Sequence, residues 1–209
     1  MSGGIQVENI SKAFGKEQVL AGVSLAVPPG EIVGVVGHNG SGKTVLMKCI
    51  CGFLRPDSGS VTVNGQRVGR DCDFPDSLGI IIETPGFIPG SSGYRNLKIL
   101  AALKGRIGKK EILAALEQVG LTGSMHKSVG KYSLGMRQRL GLAQAIMEDP
   151  ATLILDEPFN GLDKAAVEDM RSLLLGLRDR GKAVLLASHN GEDIRALCGQ
   201  VLEMEVQRK

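Results

Sequence analysis

The sequence predicts an α/β fold, with a mixed sheet whose strands are in part parallel and with a helical subdomain inserted at about residues 90–150. Thr152–Leu155 is a short apolar strand, a helical repeat follows it, and Ala183–Ala187 is the next buried strand. Strand, helix and strand in succession favour parallel pairing. Within residues 90–150, by contrast, the apolar residues recur at helical spacing. The chain is therefore predicted to combine an α/β core with a helical insert.

The N-terminal part of the chain supplies most of the other predicted strands. Ile5–Glu8 and Val19–Val27 alternate in hydrophobicity, which is typical of strands with one buried face. Ser60–Val63 leads into Asn64-Gly65, a dipeptide that favours a tight hairpin turn. Gly79–Ile82 is a continuous apolar run, which predicts a fully buried strand.

Three segments carry the spacing of amphipathic helices. The first, Thr44–Cys51, ends at Gly52, a residue suited to a helix C-terminus. The apolar positions of the other two are Ile112, Leu113, Leu116 and Val119 in the insert, and Ala166, Met170, Leu173, Leu174 and Leu177 after Pro150. Each set lies on one face and predicts one helix.

Composition is that of a globular protein with one domain, residues 1–209. The chain has 209 residues, enough to bury a full core, and 43% of them are apolar and 22% charged. The formal net charge of +3 is mildly basic. No long run of Lys or Arg predicts a nucleic-acid partner, so charge does not assign a function.

The cysteines and the lengths of the apolar runs indicate the compartment. Cys49, Cys51, Cys72 and Cys198 contain no Cys-x-x-Cys pair. The sequence therefore favours free thiols in a reducing compartment over a disulfide framework or a zinc site. Every apolar run is far shorter than the roughly 20 residues needed to cross a bilayer, and the N-terminus carries no signal-peptide pattern. We therefore expect a cytoplasmic protein.

The motif that points most directly to chemistry is Gly37–Thr44, which fits the phosphate-binding pattern GxxxxGK[ST] and follows the apolar strand Ile32–Val36. Its glycines let successive backbone N–H groups point into one cavity, at the N-terminus of a helix. Lys43 is expected to contact the β- and γ-phosphates, and the hydroxyl of Thr44 to ligate magnesium. The predicted nucleotide-binding residues of this loop are Gly37, His38, Asn39, Gly40, Ser41, Gly42, Lys43 and Thr44. The alternative, a glycine-rich turn without a ligand, does not explain the Lys and the Thr.

A second chemical feature is the pair of carboxylates, Asp156 and Glu157, directly after the apolar strand Thr152–Leu155. Open α/β sheets place their ligands at the carboxyl ends of the strands. One carboxylate can orient the shell of a magnesium ion while the other activates water, because side chains alternate across a strand end. The alternative is two solvated acids at the end of a strand. Beside a phosphate-binding loop, we interpret Asp156 as a metal-shell residue and Glu157 as a general base.

The segment Tyr132–Leu140 contains Ser133, a good N-cap residue, near its start and continues as a helix. The N-terminus of this helix is a second potential anion site. One monomer has little use for two such sites, so the second suggests a nucleotide held by another copy in a head-to-tail dimer. Taken alone, the segment is more often an ordinary capped helix.

These motifs, in this order over nearly the whole chain, resemble those of the ATP-binding subunits of ABC transporters, which are P-loop NTPases. Gly37–Thr44 matches the family's Walker A loop, and Leu153–Glu157 matches its Walker B strand. Ser133–Met136 lies at the signature motif, LSGGQ, which in the family binds the γ-phosphate of ATP in the opposite subunit. The resemblance implies an ABC-type ATP-binding domain that works as a dimer, with ATP and Mg2+ as cofactors.

Other residues gain expected roles from this resemblance. Ser188–Asn190 matches the switch histidine, which implies that His189 senses and orients the γ-phosphate. Asn160–Asp163 resembles the D-loop, which implies that Asp163 lies at the dimer interface. Phe14 lies where the family has an aromatic residue under the adenine. Without the resemblance, a lone histidine and a phenylalanine of this kind are more often ordinary structural residues.

The sequence departs from the family's pattern at two places. Leu134 and Met136 replace a glycine and the final glutamine of the signature motif. Only Ser133 and Gly135 are therefore carried over as phosphate contacts. Glu83 stands where the family usually has glutamine, in the loop before the helical insert. A carboxylate there could bind the metal or repel the triphosphate. Its position also suits a hinge that couples nucleotide state to a membrane partner, and the alternative is a solvated loop acid.

Glu83 and the segment Tyr132–Leu140 together resemble the branch that serves bacitracin-type and lantibiotic-type self-protection exporters. The resemblance implies an ATP-hydrolysing subunit at the cytoplasmic face of the membrane. Its partners would be a separate multi-span membrane chain and a second ATP-binding subunit, with no nucleic acid. Glu157 would act as general base, Lys43 as charge stabiliser and His189 as orienting group. Two alternatives remain: a soluble ABC-type ATPase that acts on nucleic acid or ribosomes, and a regulatory module that binds nucleotide with negligible turnover.

Overall fold

The structure is a computed structural model that describes residues 3–83 and 85–205. The strands are β1 Ile5–Phe14, β2 Glu17–Val27, β3 Ile32–Val36, β4 Ser58–Val63, β5 Gln66–Arg67, β6 Leu78–Ile81, β7 Thr152–Asp156, β8 Ala183–Ala187 and β9 Gln200–Glu203. The α-helices are α1 Lys43–Cys51, α2 Gly93–Lys104, α3 Lys109–Gln118, α4 Leu134–Ile146, α5 Lys164–Asp179 and α6 Gly191–Leu197. Two short 3-10 helices, Thr122–Ser124 and Val129–Lys131, lie between α3 and α4.

The strands divide between two sheets. Five strands form a parallel sheet in the order β6-β7-β8-β3-β9, and four form an antiparallel sheet in the order β2-β1-β4-β5. In the parallel sheet, Ile154 of β7 pairs with Leu185 of β8, and Gly34 of β3 pairs with Leu186. The predicted α/β class and parallel pairing are confirmed. The predicted hairpin at Asn64-Gly65 joins β4 to β5, and these strands form a separate antiparallel sheet with β1 and β2.

The buried apolar residues form two clusters. Leu153 and Leu155 of β7 belong to the first, together with residues of α2 to α5, whereas Ile154 belongs to the second, together with residues of α1 and of the antiparallel sheet. Because neighbouring residues of a strand point to opposite faces, the two clusters lie on opposite faces of the parallel sheet. This sheet is therefore covered on both faces, as parallel sheets usually are.

The end of β1 differs from the prediction for a physical reason. The alternation in β1 was predicted to end at Glu8, but the strand continues to Phe14. Its pairing with β2 shifts register after Val7 and after Ile10, and Asn9 has a left-handed backbone with φ of 50°. Such bulges interrupt the alternation of side chains without ending the hydrogen bonding, so the pattern in the sequence stops before the strand does.

The helices α2, α3 and α4 lie in the segment predicted to be the helical insert, and Ile112 and Leu116 of α3 are buried as predicted. That the chain is one domain, residues 1–209, with a helical subdomain at about residues 90–150 stays a prediction. The loop predicted around Glu83 includes Thr84, which lies outside the described residues. Within residues 3–83 and 85–205, no helix is both long and apolar enough to cross a bilayer.

The four cysteines are free thiols, and Cys49 and Cys51 are buried in α1. Burial raises the pKa of the Cys49 thiol to about 11 and that of Cys51 to about 12. Burial likewise raises the pKa of Cys198 to about 12. Because the thiolate is the reactive form, these three cysteines are suited to packing rather than to chemistry.

Candidate functional site

Three adjacent strands of the parallel sheet bring the predicted site residues to one edge. The strands β7, β8 and β3 are neighbours in that order. Asp156 ends β7 and is followed by Glu157, His189 comes two residues after β8, and the loop Gly37–Gly42 connects β3 to α1. Since parallel strands have their carboxyl ends at the same edge, the three segments meet there.

The phosphate-binding loop depends on glycines at two tight positions. Gly42 is the N-cap residue of α1 and has a left-handed backbone with φ of 93°. A Cβ on Gly37 would overlap the carbonyl oxygen of Met204 and would lie 2.6 Å from the Ser41 hydroxyl oxygen. A side chain at either place would strain the loop, because L residues rarely adopt left-handed backbone and because the carbonyl cannot move aside. The sequence pattern identified these glycines correctly as structural requirements.

The loop contains polar groups that suit an anionic ligand. No described side chain caps the N-terminus of α1, so its first amides are not satisfied by a serine or an aspartate. The hydroxyl of Ser41 is buried, with 1% of the residue exposed, and has no hydrogen-bond partner among the described residues. Lys43 Nζ donates to the carbonyl oxygens of Gly37, at 2.7 Å, and His38, at 3.1 Å. A buried hydroxyl without a partner beside an uncapped helix N-terminus fits a bound phosphate.

The predicted magnesium residues Thr44 and Asp156 lie together. Thr44 Oγ1 donates to Asp156 Oδ2 at 2.8 Å, although the two residues are far apart in the sequence. Among the described residues, no group of three or more His, Cys, Asp or Glu side chains could hold a metal alone. Magnesium usually takes one or two protein oxygens and completes its shell with phosphate and water. The Thr44 and Asp156 pair therefore fits a magnesium ion that arrives with a nucleotide.

The predicted general base and the predicted switch histidine are in contact. His189 Nδ1 lies 2.8 Å from Glu157 Oε2. The histidine is largely exposed, whereas the Glu157 side chain is 24% exposed. The backbone N–H of Glu157 donates to the carbonyl of Ala187 at 2.9 Å, which ties the base to the strand that leads to His189. This arrangement fixes a carboxylate and an imidazole next to the phosphate-binding loop.

A buried ion pair that the sequence did not reveal supports the His189 turn. Arg171 Nε, on α5, donates to Asp193 Oδ1 at 3.0 Å, and only 1% of Asp193 is exposed. The second carboxylate oxygen accepts the Ser188 hydroxyl at 3.2 Å, and the Ser188 oxygen accepts the N–H of Asn190 at 3.1 Å. Asp193 raises the pKa of Arg171 further above its usual value. This pair could not be recognised from the sequence, because no local pattern links Asp193 to Arg171, which is 22 residues away.

The predicted signature segment packs against the predicted D-loop. Ser133 is the N-cap residue of α4, and its Oγ accepts the N–H of Met136 at 3.2 Å. A Cβ on Gly135 would lie 2.7 Å from the carbonyl oxygen of Gly161, so this close approach requires glycine. Asp163 caps α5 by accepting the N–H of Ala166 at 2.8 Å. Ser133 and Asp163 thus have structural roles as helix caps, and their predicted roles at a dimer interface stay predictions.

A cleft of about 780 Å³ lies between the phosphate-binding loop and α4. Its lining comes from the loop, the start of α1, the segment after β6, the end of β7 with the residue after it, and α4, and includes Asn39, Gly40, Gly42, Lys43, Thr44, Glu83, Leu134, Arg137, Gln138, Asp156 and Glu157. The predicted site residues that lie outside the described lining of this cleft are Phe14, Gly37, His38, Ser41, Ser133, Gly135, Asp163 and His189. A second cleft, of about 1510 Å³, is lined by the loop residues Gly37, His38 and Asn39 together with His189. The phosphate-binding loop therefore contributes residues to both clefts.

Phe14 and Glu83 take positions that the sequence did not specify. Phe14, at the end of β1, is half-exposed, and Lys12 Nζ lies 5.7 Å from the centre of its ring. Glu83 has a left-handed backbone with φ of 59°, and its Oε1 lies 2.6 Å from Lys48 Nζ of α1. The carboxylate is thus paired with a lysine. Adenine stacking by Phe14 and metal binding by Glu83 stay predictions.

Comparison with known proteins identifies the family. The family profile for ABC transporters matches residues 20–160. An uncharacterized ABC transporter ATP-binding protein of Bacillus subtilis, YdbJ, is 43% identical over 202 residues, which cover 95% of this chain and 65% of the relative. The bacitracin transport ATP-binding protein BcrA of Enterococcus faecalis is 43% identical over 187 residues, which cover 88% of this chain and 61% of the relative. The chain thus spans slightly less than two thirds of the length of these two proteins.

A further relative and a solved structure agree with this result. The lantibiotic transport ATP-binding protein SrtF of Streptococcus pyogenes is 34% identical over 185 residues, which cover 88% of this chain and 80% of the relative. A solved ATP-binding subunit of an ABC transporter superposes with a TM-score of 0.86 at 25% identity, over 98% of this chain and 88% of that one. The predicted resemblance to the bacitracin and lantibiotic branch is confirmed. The chain belongs to the ABC transporter family of ATP-binding proteins.

Proposed function

We propose that the chain binds ATP with magnesium and hydrolyses it to drive an ABC transporter. The observation that carries this proposal is the contact between Glu157 Oε2 and His189 Nδ1, at 2.8 Å, beside the phosphate-binding loop. A carboxylate fixed in this way is suited to accept a proton from an attacking water. The contact favours an enzyme over a regulatory module with negligible turnover, because nucleotide binding alone needs no fixed base.

The residues of the loop would hold the triphosphate. The uncapped N-terminus of α1 and the buried Ser41 hydroxyl offer donors to phosphate oxygens. Lys43 would exchange its bonds to the loop carbonyls for the β- and γ-phosphates and stabilise the charge that develops between them. Thr44 and Asp156 would hold magnesium, which supplies further charge stabilisation when bound.

A second ATP-binding subunit would complete each site. Ser133 is exposed at the N-terminus of α4 and lies outside the described lining of the cleft that the chain's own loop forms. We assign it, with Gly135, to the nucleotide held by the second subunit, in a dimer with two ATP molecules between the protomers. Asp163 of the neighbouring loop would lie at the same interface.

The relatives support a role in export. The proteins named for bacitracin transport and lantibiotic transport cover most of this chain at 43% and 34% identity. We therefore assign the chain to an exporter of peptide antibiotics or similar compounds, at the cytoplasmic face of the membrane, with a separate multi-span membrane chain as partner. These relatives do not favour the alternative of an ATPase that acts on nucleic acid or ribosomes.

Glu157→Gln is the variant that tests hydrolysis. We expect it to bind ATP as well as the wild type does. Its turnover should fall by about a hundredfold or more, since the general base is lost. With ATP and magnesium it should accumulate as a dimer, which sedimentation would detect. Glu117→Gln, at an exposed position of α3, is the matched control and should behave as the wild type. Undiminished turnover of Glu157→Gln would contradict the proposed base.

The transported class can be tested in cells. The chain and its membrane partner are expressed together in a sensitive host, and growth is measured over a series of bacitracin and lantibiotic concentrations. Resistance with the wild type but not with Glu157→Gln would support hydrolysis-driven export of that peptide. Equal sensitivity of both strains to every peptide would count against a peptide-antibiotic exporter.

A further inference from the structure

Glu157, the proposed general base, has an unfavourable backbone conformation. Its φ is 50°, in the left-handed region, which is unfavourable for a non-glycine residue. The next residue is Pro158, and a residue before proline is normally extended. The direction of the Glu157 side chain therefore depends on contacts that hold this conformation in place.

Hydrogen bonds hold the backbone of Glu157 on both sides. Its N–H donates to the carbonyl of Ala187 at 2.9 Å. Its carbonyl accepts the side-chain amide Nε2 of Gln138 at 3.1 Å and the N–H of Asn160 at 3.3 Å. The bond from Asn160 is local, within one turn of the chain. The bond from Gln138 ties the carbonyl of Glu157 to α4, just as the bond to Ala187 ties its N–H to β8.

Gln138 lies in the second turn of α4, and only 9% of it is exposed. Burial of a side-chain amide has a cost unless the amide is hydrogen-bonded, so its position is specific. The same helix begins with Ser133, whose hydroxyl caps it. A displacement of the N-terminus of α4 would therefore be transmitted, within little more than one turn, to the carbonyl of Glu157.

We propose that Gln138 is a positioning residue for Glu157: it fixes the left-handed backbone of the general base, and it makes the direction of that base depend on α4. The proposal rests on the hydrolysis of ATP proposed above. In the dimer, the N-terminus of α4 would contact the nucleotide of the second subunit. Binding there would thus influence the base at the chain's own site through Ser133, α4 and Gln138.

A purely structural role for Gln138 is the alternative, and Asn96 offers a matched comparison. Asn96 is also a buried amide, with 4% exposure, and its Nδ2 donates to the carbonyl oxygens of Ile88 and Ser92 at 3.2 and 3.0 Å. It lies in α2 and has no contact with Glu157 among its described bonds. Removal of either amide should destabilise the fold, but only removal of Gln138 should affect the base.

The test compares Gln138→Met with Asn96→Leu in the purified full chain. We expect Gln138→Met to lower kcat about tenfold to a hundredfold, the effect of misplacing a catalytic group by about 1 Å, while KM for ATP changes little. Asn96→Leu should keep the wild-type kcat. In a Glu157→Gln background, Gln138→Met should cause no additional loss, because the group that it positions is already gone.

A second variant keeps the test valid if Gln138→Met folds poorly. Gln138→Glu has nearly the same shape, but as a carboxylate it cannot donate to the Glu157 carbonyl. Burial raises the pKa of such a carboxyl, and the protonated form can donate again. The ratio of its kcat to that of the wild type should therefore rise as the pH falls from about 8 to about 6.

The outcomes separate this proposal from the proposed function. Absence of turnover in the wild-type chain together with its membrane partner would overturn both. Wild-type turnover with a normal kcat for Gln138→Met would overturn the positioning role alone. An equal loss of kcat in Asn96→Leu, or a full additional loss in the Glu157→Gln background, would likewise reduce Gln138 to a structural residue.

Discussion

The helices α1 and α4 both begin near the candidate site, but their first amides are satisfied differently. The N-cap residue of α1 is Gly42, and no described side chain caps this helix. The N-cap residue of α4 is Ser133, whose hydroxyl oxygen accepts the N–H of Met136 at 3.2 Å. The first amides of α1 therefore have no side-chain acceptor, whereas one of the first amides of α4 has one.

This difference indicates how each helix could take part in binding. A phosphate at α1 would satisfy free amides and the buried Ser41 hydroxyl, which has no partner among the described residues. At α4, the Ser133 hydroxyl can keep its cap bond and still donate its proton to a phosphate oxygen, since a hydroxyl has one donor and two acceptor sites. We infer that α1 can hold phosphate alone and that α4 only adds to a site formed elsewhere.

The largest expected effect is at α1. Lys43→Ala removes the cation that would contact the β- and γ-phosphates, and Lys43 is the only Lys or Arg within Gly37–Thr44. We expect ATP binding to weaken strongly and turnover to fall by about a thousandfold. Nucleotide titration and a phosphate-release assay measure the two effects. Lys16→Ala, at an exposed turn, is the control. Unchanged affinity and turnover would remove Lys43 from the site.

A smaller and more selective effect is expected at α4. Ser133→Ala removes a helix cap, which lowers the free energy of unfolding by about 1 kcal/mol. Ser92→Ala is a matched control, because Ser92 caps α2 in the same way, with its Oγ accepting the N–H of Arg95 at 3.2 Å.

Both variants should bind ATP as monomers with wild-type affinity. Only Ser133→Ala should lower the turnover of the dimer, by about tenfold, since one hydrogen bond to a charged group contributes about 1.5 kcal/mol. If both variants lost turnover equally, α4 would have no part in nucleotide binding, and the contrast between the two helices would fail.

The ion pair between Glu83 and Lys48 joins α1 to the loop before the helical insert, with 2.6 Å between Oε1 and Nζ. Glu83→Gln should keep basal hydrolysis, because a side-chain carbonyl remains. Glu83→Ala should lose most of the stimulation by the membrane partner while it keeps ATP binding. ATPase assays with and without the reconstituted partner measure this. Equal stimulation of the wild type and both variants would make Glu83 an ordinary loop acid.

Lys48→Met is the companion variant for Glu83. If the ion pair transmits the signal, Lys48→Met should lose stimulation as Glu83→Ala does, although Glu83 is still present. Full stimulation of Lys48→Met by the membrane partner would show that Glu83 acts without the ion pair to Lys48.

A further expected effect, on the free energy of unfolding rather than on turnover, is a pH dependence of stability that originates in α1. Burial raises the pKa of Cys49 to about 11 and of Cys51 to about 12 in the folded chain, whereas an unfolded thiol ionises at about pH 8.5. The free energy that these neutral thiols contribute is fully present below about pH 8.5 and decreases as the pH rises toward their folded values. Urea unfolding at neutral and alkaline pH would measure the decrease. Cys51→Ala should make it smaller, and an unchanged slope would contradict the assignment.

Local patterns in the sequence determined the elements of this protein and the chemistry attached to each. The loop Gly37–Thr44 and the carboxylates Asp156 and Glu157 could be recognised because each depends on residues that are neighbours in the chain. The helix cap Ser133 was identified for the same reason, and it accepts a backbone N–H as predicted. The division of the strands between two sheets could not be predicted, because it depends on pairing between distant segments.

Only the tertiary structure decided which of these groups meet. The contacts of Thr44 with Asp156 and of Glu157 with His189 arise because β3, β8 and β7 are adjacent. Gln138 and Arg171 lie within ordinary helical patterns, and their bonds to the Glu157 carbonyl and to Asp193 became visible only when α4 and α5 were packed against the sheet edge. Periodicity in a sequence reports which face of an element is buried, but the partner of a buried polar side chain depends on how distant elements pack together.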